Sequence, residues 1–547
     1  MTAFVPTASD IGPGTIFTSV AAGDSVTFLQ PYSFINTTGT AVNINHANNT
    51  LINMTTLMSG ASNGVFVNTV ADCDIINTAT GTIAALTGAL GFSAIHLSGD
   101  RNSLLNAGDV YSVNGIGVYQ LGIGSVIDNS GRIQGGIRGV AAYGTDYSIL
   151  NSGTIESGTG TESTAVALAG FGSDKSLINT GVIQSLSAIG GTAVRVGAAG
   201  QTTIDNSGSI LSVGGIAIEA VTATGSLHLT NSGTISSATS FTFSVFATAQ
   251  SDIILNTGSI DGSVDLGGGN DLFDGIGGFV GGTVYGGAGN DTFRVSDALA
   301  AIFEFALEGT LDRIESTVSF SLATTGEVEN LTLLGTATDG IGNGLANLIQ
   351  GNLQGNILRG RDGNDTLNGG DADDSLNGDT ANDLVRGESG DDSLRGGVAG
   401  DTLYGGDDDD LLRGDAGIDG LYGENGEDVL HGGANRDWMY GGADADSFLF
   451  RFVADSAAGA AIRDIITGFE AGLDLIDLRQ IDANSLLTTN QAFTWIGTAA
   501  FSNIAGQLRL ITGANSVLQG DVNGDGVADF ELQFNTLATV SVNDILL

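Results

Sequence analysis

Ten aspartates stand at a strict step of nine: Asp365, Asp374, Asp383, Asp392, Asp401, Asp410, Asp419, Asp428, Asp437 and Asp446. Two residues beyond each lies a large apolar side chain, from Leu367 and Leu376 to Met439 and Phe448. Five residues before each lies a glycine, from Gly360 to Gly441. Carboxylates are hard, charged oxygen donors, and glycines permit the left-handed backbone that aims turn carbonyls at one point. A turn carrying both gathers six or so hard oxygens in flexible geometry, a set that suits Ca²⁺ rather than Mg²⁺ or a transition metal. Upstream, Asp271 in LGGGNDLF and Asp291 in YGGAGNDTF have the same setting, while Asn347 and Asn356 hold the aspartate positions just before the array.

The spacing predicts how these donors are positioned. The first six residues of each nonapeptide make a tight turn, and the last three a short strand with its apolar side chain inside. Two nonapeptides complete one coil, so aspartates 18 residues apart stack on one edge. The glycine two before each aspartate is kept at Gly363, Gly390, Gly417 and Gly426 and replaced at Ala372, Ala381, Ala399, Asp408, Asn435 and Asp444. Asn and Asp tolerate left-handed angles better than Ala, so the turns at Ala372, Ala381 and Ala399 are predicted to hold an ion least well. A terminal turn has fewer neighbours than an interior one, so Asp446 is expected to matter less than Asp392, Asp401 or Asp410.

The pattern Gly-Gly-x-Gly-x-Asp-x-U-x, with U a large apolar residue, is the calcium-binding signature of RTX repeats. Residues 264–450 thus resemble the RTX β-roll of type I secreted bacterial proteins, and the resemblance implies several Ca²⁺ ions on the ten aspartates, Asp271 and Asp291. A second oxygen-rich loop lies in DVNGDGVADFEL, where Asp521, Asn523, Asp525 and Asp529 take positions 1, 3, 5 and 9. It is similar to integrin-type calcium loops; the alternative is an acidic hairpin. The stretch DIITGFEAGLDLIDLRQID, with the final Asp544-Ile545-Leu546-Leu547, resembles the C-terminal domain of serralysin-type proteins. That likeness implies export by a type I secretion apparatus. It fits the opening MTAFVPTASDIG, which has neither the basic nor the apolar region of a cleaved secretory signal.

The elements that carry these sites are strands. Glycine is abundant (86) and proline scarce (3), as short strands and tight turns require. In the first 260 residues a looser repeat recurs as VIDNSGRI, ILNSGTI, LINTGVI, IDNSGSI, LTNSGTI and ILNTGSI. Its asparagines, Asn106, Asn129, Asn151, Asn179, Asn206, Asn231 and Asn256, lie 22 to 28 residues apart, and Asn36, Asn53 and Asn77 extend the series. A period near 25 is one coil of a solenoid, which buries its inward face only by stacking. The asparagines are expected to form an internal hydrogen-bonded ladder. The fold class is therefore all-β: a right-handed parallel β-helix over 1–260, a first calcium-binding block over 261–300, a β-rich spacer over 301–345, a nonapeptide β-roll over 346–450 and a β cap over 451–547. The Asn-Ser-Gly-Thr-Ile repeats resemble those of autotransporter and filamentous adhesin passengers.

A formal charge of −44, from 61 acidic and 17 basic residues, excludes nucleic acid and anionic membranes as partners. With 41% hydrophobic residues the chain has the material for a core. Cys73 is the lone cysteine, and no apolar run reaches the length of a membrane span. No zinc motif is present, and His46, His96, His228 and His431 are scattered. The enzymatic alternative is a polysaccharide lyase or mannuronan C-5 epimerase, since such epimerases also join a β-helix to RTX repeats. It needs a carboxylate neutraliser, a base and an acid in one groove. Arg101, Arg132, Arg138, Arg195, Lys175 and three histidines are available, with Asp72 and Asp74 as the one close acidic pair in that region. The favoured reading has no catalytic site: a secreted calcium-binding protein, its β-helix meeting a glycan or cell-surface partner in adhesion or matrix interaction.

Overall fold

The computed structural model describes residues 3–4, 17–18, 23, 25–28, 33–36, 40–86, 92–172, 174–220, 223–237, 243–297, 300–305, 309–535 and 540–547. Most of the opening dodecapeptide lies outside them. The chain forms two compact units, Met1–Arg294 with Ala300–Thr310, and Val295–Leu299 with Leu311–Leu547.

The first unit is a parallel β-helix with three strands per coil. Val126–Asn129, Arg132–Gly135 and Arg138–Ala142 make one coil; Ser148–Asn151, Thr154–Ser157 and Thr164–Gly170 make the next. Each strand pairs in parallel with its counterpart one coil on, Asn129 opposite Asn151, Ile133 opposite Ile155 and Val140 opposite Val166. Alternation turns Ile127, Ile133 and Val140 inward, where they are buried. Such burial stabilises the stack by about 1.5–3 kcal/mol per side chain, and no coil achieves it alone.

The asparagine ladder is present from Asn53 onward, but Asn36 is not part of it, since it lies on another sheet opposite Ser59. Asn53 Nδ2 donates to Asn77 Oδ1 at 2.8 Å, and the chain of bonds runs through Asn106, Asn129, Asn151, Asn179, Asn206 and Asn231 to Asn256. Each amide offers both a donor and an acceptor, so one coil's surplus N–H meets the next coil's oxygen. Asn256 instead donates to the Phe279 carbonyl at 3.1 Å.

The second unit is a two-sheet roll. Thr366–Asp371 pairs with Leu384–Ser389 and Ser375–Thr380 with Ser393–Val398, so neighbours in each sheet are 18 residues apart. The apolar column from Leu367 to Phe448 is wholly buried. The strands are longer than the sequence suggested. They run six residues, from position seven of one nonapeptide through position three of the next, because parallel pairing continues across the paired glycines. The spacer also joins the roll: Arg313–Ser316 pairs with Asn330–Leu333, which pairs with Leu348–Gln350. Past the array, Asp464–Thr467 pairs with Phe530–Phe534, and Leu475–Asp477 with Ile545–Leu546. Gln507–Ile511, Ser516–Asp521 and Phe530–Phe534 form the antiparallel cap. Among the described residues no helix is long and apolar enough to cross a membrane.

Candidate metal centre

Every aspartate of the array sits at the corner entering a strand and is 4% exposed or less. One carboxylate oxygen is used structurally. Asp383 Oδ1 accepts the Asp365 N–H at 2.8 Å, and the same bond links Asp401 to Asp383, Asp419 to Asp401 and Asp437 to Asp419. On the other edge it runs from Asp374 through Asp392, Asp410 and Asp428 to Asp446. The second oxygen is different. Oδ2 is buried without a hydrogen-bond partner in nine of the ten, from Asp365 to Asp437. Burial pushes these carboxyls up, and backbone N–H groups only partly offset it: Asp365 and Asp374 to about 6, Asp392 and Asp401 to about 7, Asp410 to about 8. Repulsion between stacked carboxylates adds to the rise at Asp392 and Asp410.

The first glycine column explains itself here. A Cβ on Gly360 would collide with Asp365 Oδ2 and come within 2.7 Å of the Gly378 carbonyl; at each glycine to Gly441 the aspartate five residues on stands equally close. The glycine is thus the open side of a cradle floored by a bare carboxylate oxygen and roofed by a carbonyl of the next layer. Among the described residues, no group hydrogen-bonds that oxygen in nine of the ten aspartates. A hard cation would neutralise it, and the donors are all oxygen, which fits calcium. At the substituted position, Ala372, Ala381 and Ala399 hold φ of +71°, +78° and +85°, strained for an L side chain, where Gly363 holds +116°.

The ends of the column were only partly visible in the sequence. At the head, Asn347 and Asn356 replace aspartate and close the corner themselves. Asn347 Oδ1 accepts the Asn343 N–H at 2.8 Å and its Nδ2 donates to the Glu329 carbonyl at 3.2 Å; Asn356 pairs likewise with Asn352 and Ala337. At the tail the stack does not stop at Asp446. Asp437 donates to Asp464 Oδ1 at 2.9 Å and Asp446 to Asp474 Oδ1 at 3.2 Å. This corrects the view of Asp446 as a terminal layer. Asp464 Oδ2 is buried without a partner, whereas Asp474 Oδ2 accepts the Glu470 N–H at 2.7 Å. Burial, with Asp437 beside it, holds Asp464 well above the usual carboxylate range. The signal was there: Asp464-Ile465-Ile466 and Asp474-Leu475-Ile476 repeat the Asp-x-U triplet, hidden because the step lengthens beyond nine.

In the first unit Asp271 and Asp291 occupy the matching corner. Asp271 donates to Asp291 Oδ1 at 2.7 Å, and Asp252, not singled out in the sequence, donates to Asp271 Oδ1 at 2.6 Å. Pairing registers carry this corner back through Thr202 and Lys175. Lys175 is 1% exposed, and its ammonium donates to the Gly172 and Ala199 carbonyls at 2.6 and 2.5 Å. A tethered cation thus meets turn carbonyls where later coils present carboxylates.

The loop at 521–529 is a hairpin turn closed on its own carboxylates. Asp521 accepts the Gly524 and Gly526 N–H groups at 2.7 and 2.9 Å, Asn523 accepts from Asp525 and Asp525 from Val527, and Asp529 accepts from Val522 at 2.9 Å. The basic residues weighed for catalysis are spread over separate partners. Arg101 pairs with Asp72 at 2.7 Å, Arg132 with Glu156 and Arg195 with Glu219 at 2.8 Å, while Arg138 donates to the Tyr143 hydroxyl at 2.9 Å. Asp74 accepts the Ser103 hydroxyl at 2.5 Å, so it and Asp72 serve different neighbours. His96 lies between the rings of Phe66 and Tyr119, and His228 meets Gln201 at 2.8 Å.

Comparison with known proteins bears on the same segments. The family model of the RTX calcium-binding nonapeptide repeat (four copies) matches residues 283–296 and, in overlapping stretches, 341–376, 350–385, 368–402, 386–421 and 414–448. No curated protein matches the chain. Among solved structures, the AlgE6R3 subunit of the Azotobacter vinelandii mannuronan C5-epimerase is 26% identical, over 27% of this chain and 78% of its own, with a TM-score of 0.21. The AlgE6R2 subunit of that enzyme is 27% identical, over 26% and 90%, with a TM-score of 0.19.

Proposed function

We propose, for a chain whose residues 283–296 and 341–448 carry RTX calcium-binding nonapeptide repeats, that the array is a folding device for a secreted, non-catalytic protein. Calcium on the aspartate column orders the roll outside the cell after type I export, and the β-helix acts in adhesion, matrix or cell-surface interaction. The observation that carries the calcium step is the column of buried Oδ2 atoms without hydrogen-bond partners. A chain of stacked, ionised carboxylates repels itself, and an ion that binds only the folded state contributes its binding energy to folding. Asp365 to Asp446, with Asp271 and Asp291, are the proposed ligands, and Asp521, Asn523, Asp525 and Asp529 a separate proposed site in the cap. For adhesion the support is the long solenoid surface and its passenger-like repeats.

The test is circular dichroism and hydrogen exchange on the full chain in chelator, then in millimolar calcium. Amides of residues 346–450 are expected to gain protection on calcium addition. Equal protection in both conditions overturns the proposal. Incubation with polyuronates in the same buffer addresses the enzymatic alternative, since cleavage or epimerised product would assign catalysis to the chain.

A further inference from the structure

The β-helix is notched at the corner that follows the strand Asp109–Ser112. The turn there spans residues 113–115, its successor one coil on only 136–137, and the next two 158–163 and 186–191. A short turn is thus followed by two long ones, and the recess at the step is a cleft of about 880 Å³. That lies within the roughly 300–1,000 Å³ of small-molecule sites. Gly136 and Gly158 keep it open as a condition of stacking. A Cβ on Gly136 would collide with the Val113 carbonyl oxygen, and one on Gly158 would come within 2.6 Å of the Gly136 carbonyl oxygen.

The lining is polar without being charged. Tyr111, Asn114, Gln134 and Thr159 line the cleft together with the apolar Val113 and Ile137. Among the described residues no Asp, Glu, Lys or Arg lines it, in a chain with 61 acidic residues and 17 basic ones. Tyr111, Gln134, Glu156 and Gln184 form one column, each opposite the next. Its later half is engaged: Glu156 pairs with Arg132, and Gln184 donates to its other oxygen at 2.8 Å. Tyr111 and Gln134 make no side-chain hydrogen bond among the described residues, and neither do Asn114 and Thr159. Free donors and acceptors therefore gather where the wall recedes.

Their chemistry selects a ligand. An amide both donates and accepts, as does a hydroxyl, and a tyrosine ring offers an apolar face beside its polar tip. A sugar has the matching surface: hydroxyls around its edge and C–H groups on its faces. A phosphate or a uronate would find no cation here, and the acidic chain repels it. A wholly apolar ligand would cover two amides without giving them partners.

We propose that this cleft binds one or two pyranose units of an uncharged glycan, with Tyr111 against a ring face and Asn114 and Gln134 bonded to ring hydroxyls. The assignment rests on the reading of the β-helix as an adhesive surface, to which it adds a place and a ligand class.

The experiment is affinity electrophoresis of the full chain in millimolar calcium, beside Tyr111→Ala, Tyr111→Phe and Gln134→Ala. The gels contain dextran, mannan or hydroxyethylcellulose, or hyaluronate as the anionic probe. The wild type is expected to be retarded by at least one uncharged polysaccharide and not by hyaluronate. Its apparent dissociation constant should rise about 3- to 10-fold in Tyr111→Ala and in Gln134→Ala, the effect of losing a stacked face or one or two hydrogen bonds. Tyr111→Phe keeps the face and should retain most of the binding. Unchanged circular dichroism and melting temperature show that the variants fold. Equal retardation of all four forms, or retardation by hyaluronate alone, would overturn the cleft and leave the β-helix adhesive through another face. No retardation of any form in any gel would overturn the cleft and also remove a glycan partner from the adhesion reading.

Discussion

An aspartate in the array has two oxygens with two duties. Oδ1 holds the coil below by its N–H, and Oδ2 is left bare in the interior. This split sets a pH dependence whose sign depends on the metal. Without calcium, burial raises Asp365 to about 6, Asp392 to about 7 and Asp410 to about 8, so these groups take up protons on folding. The folded state then holds more protons than the unfolded between about pH 4 and 8, and stability falls as pH rises through that window. With calcium the ionised form is the one bound, and acid competes with the ion. The calcium-free array is therefore expected to be better protected from hydrogen exchange near pH 5 than near pH 8, after correction for intrinsic rates, and the calcium-loaded array the reverse. One trend common to both states would contradict the assignment of Oδ2 as the ion's ligand.

The two repeat elements solve one problem with opposite chemistry. A stacked coil needs a side chain at its corner that bonds the next layer. Asparagine does this alone, because its amide both donates and accepts; aspartate only accepts and leaves a charge. Asn151 receives from Asn129 and donates to Asn179, each at 2.7 Å, inside the core. Asn151→Leu should leave a buried donor and a buried acceptor unmade, at about 1–3 kcal/mol each. Its melting temperature should fall equally in chelator and in calcium, read on β-helix amides. A loss rescued by calcium would mean that the ladder and the ions are not independent. Much of this was legible from spacing: the ladder, the 18-residue stacking and the buried apolar column all follow from period and residue type. What escaped, Asp252, Asp464 and Asp474, lies where the step is irregular. There a coil lengthens by an insertion, and only the pairing register shows that the corner is the same. The outer faces of the roll also needed the register. Position nine puts Tyr404 and Tyr422 in a stack at 4.8 Å with Arg386 over Tyr404 at 5.5 Å, and sends Arg395 and Arg413 to the other sheet.

Across the whole molecule, the proposed export route and the fold exclude one another in time. The segment read as the secretion signal is structured in the folded chain. Asp544 is 3% exposed, accepts the Gly472 N–H at 2.8 Å and the Ser541 N–H at 2.7 Å, and leads into Ile545–Leu546, which pairs with Leu475–Asp477 at the end of the roll. Leu475–Asp477 pairs in turn with Ser447–Leu449, the last strand of the array on that sheet. Calcium that orders the column thus also orders the sheet on which the terminal strand docks, and a docked strand is not available to an exporter. On the proposed route, low calcium would leave the signal open and high calcium would close it after passage. Deleting residues 451–547 should therefore retain the protein in the cell, while deleting residues 1–260 should leave export intact. Loading the cytosol with calcium before induction should reduce export of the full chain. Each form is expressed with a type I exporter, and medium and cytosol are assayed separately with a lysis marker. Efficient release of the C-terminally deleted form without lysis would show that another segment directs export.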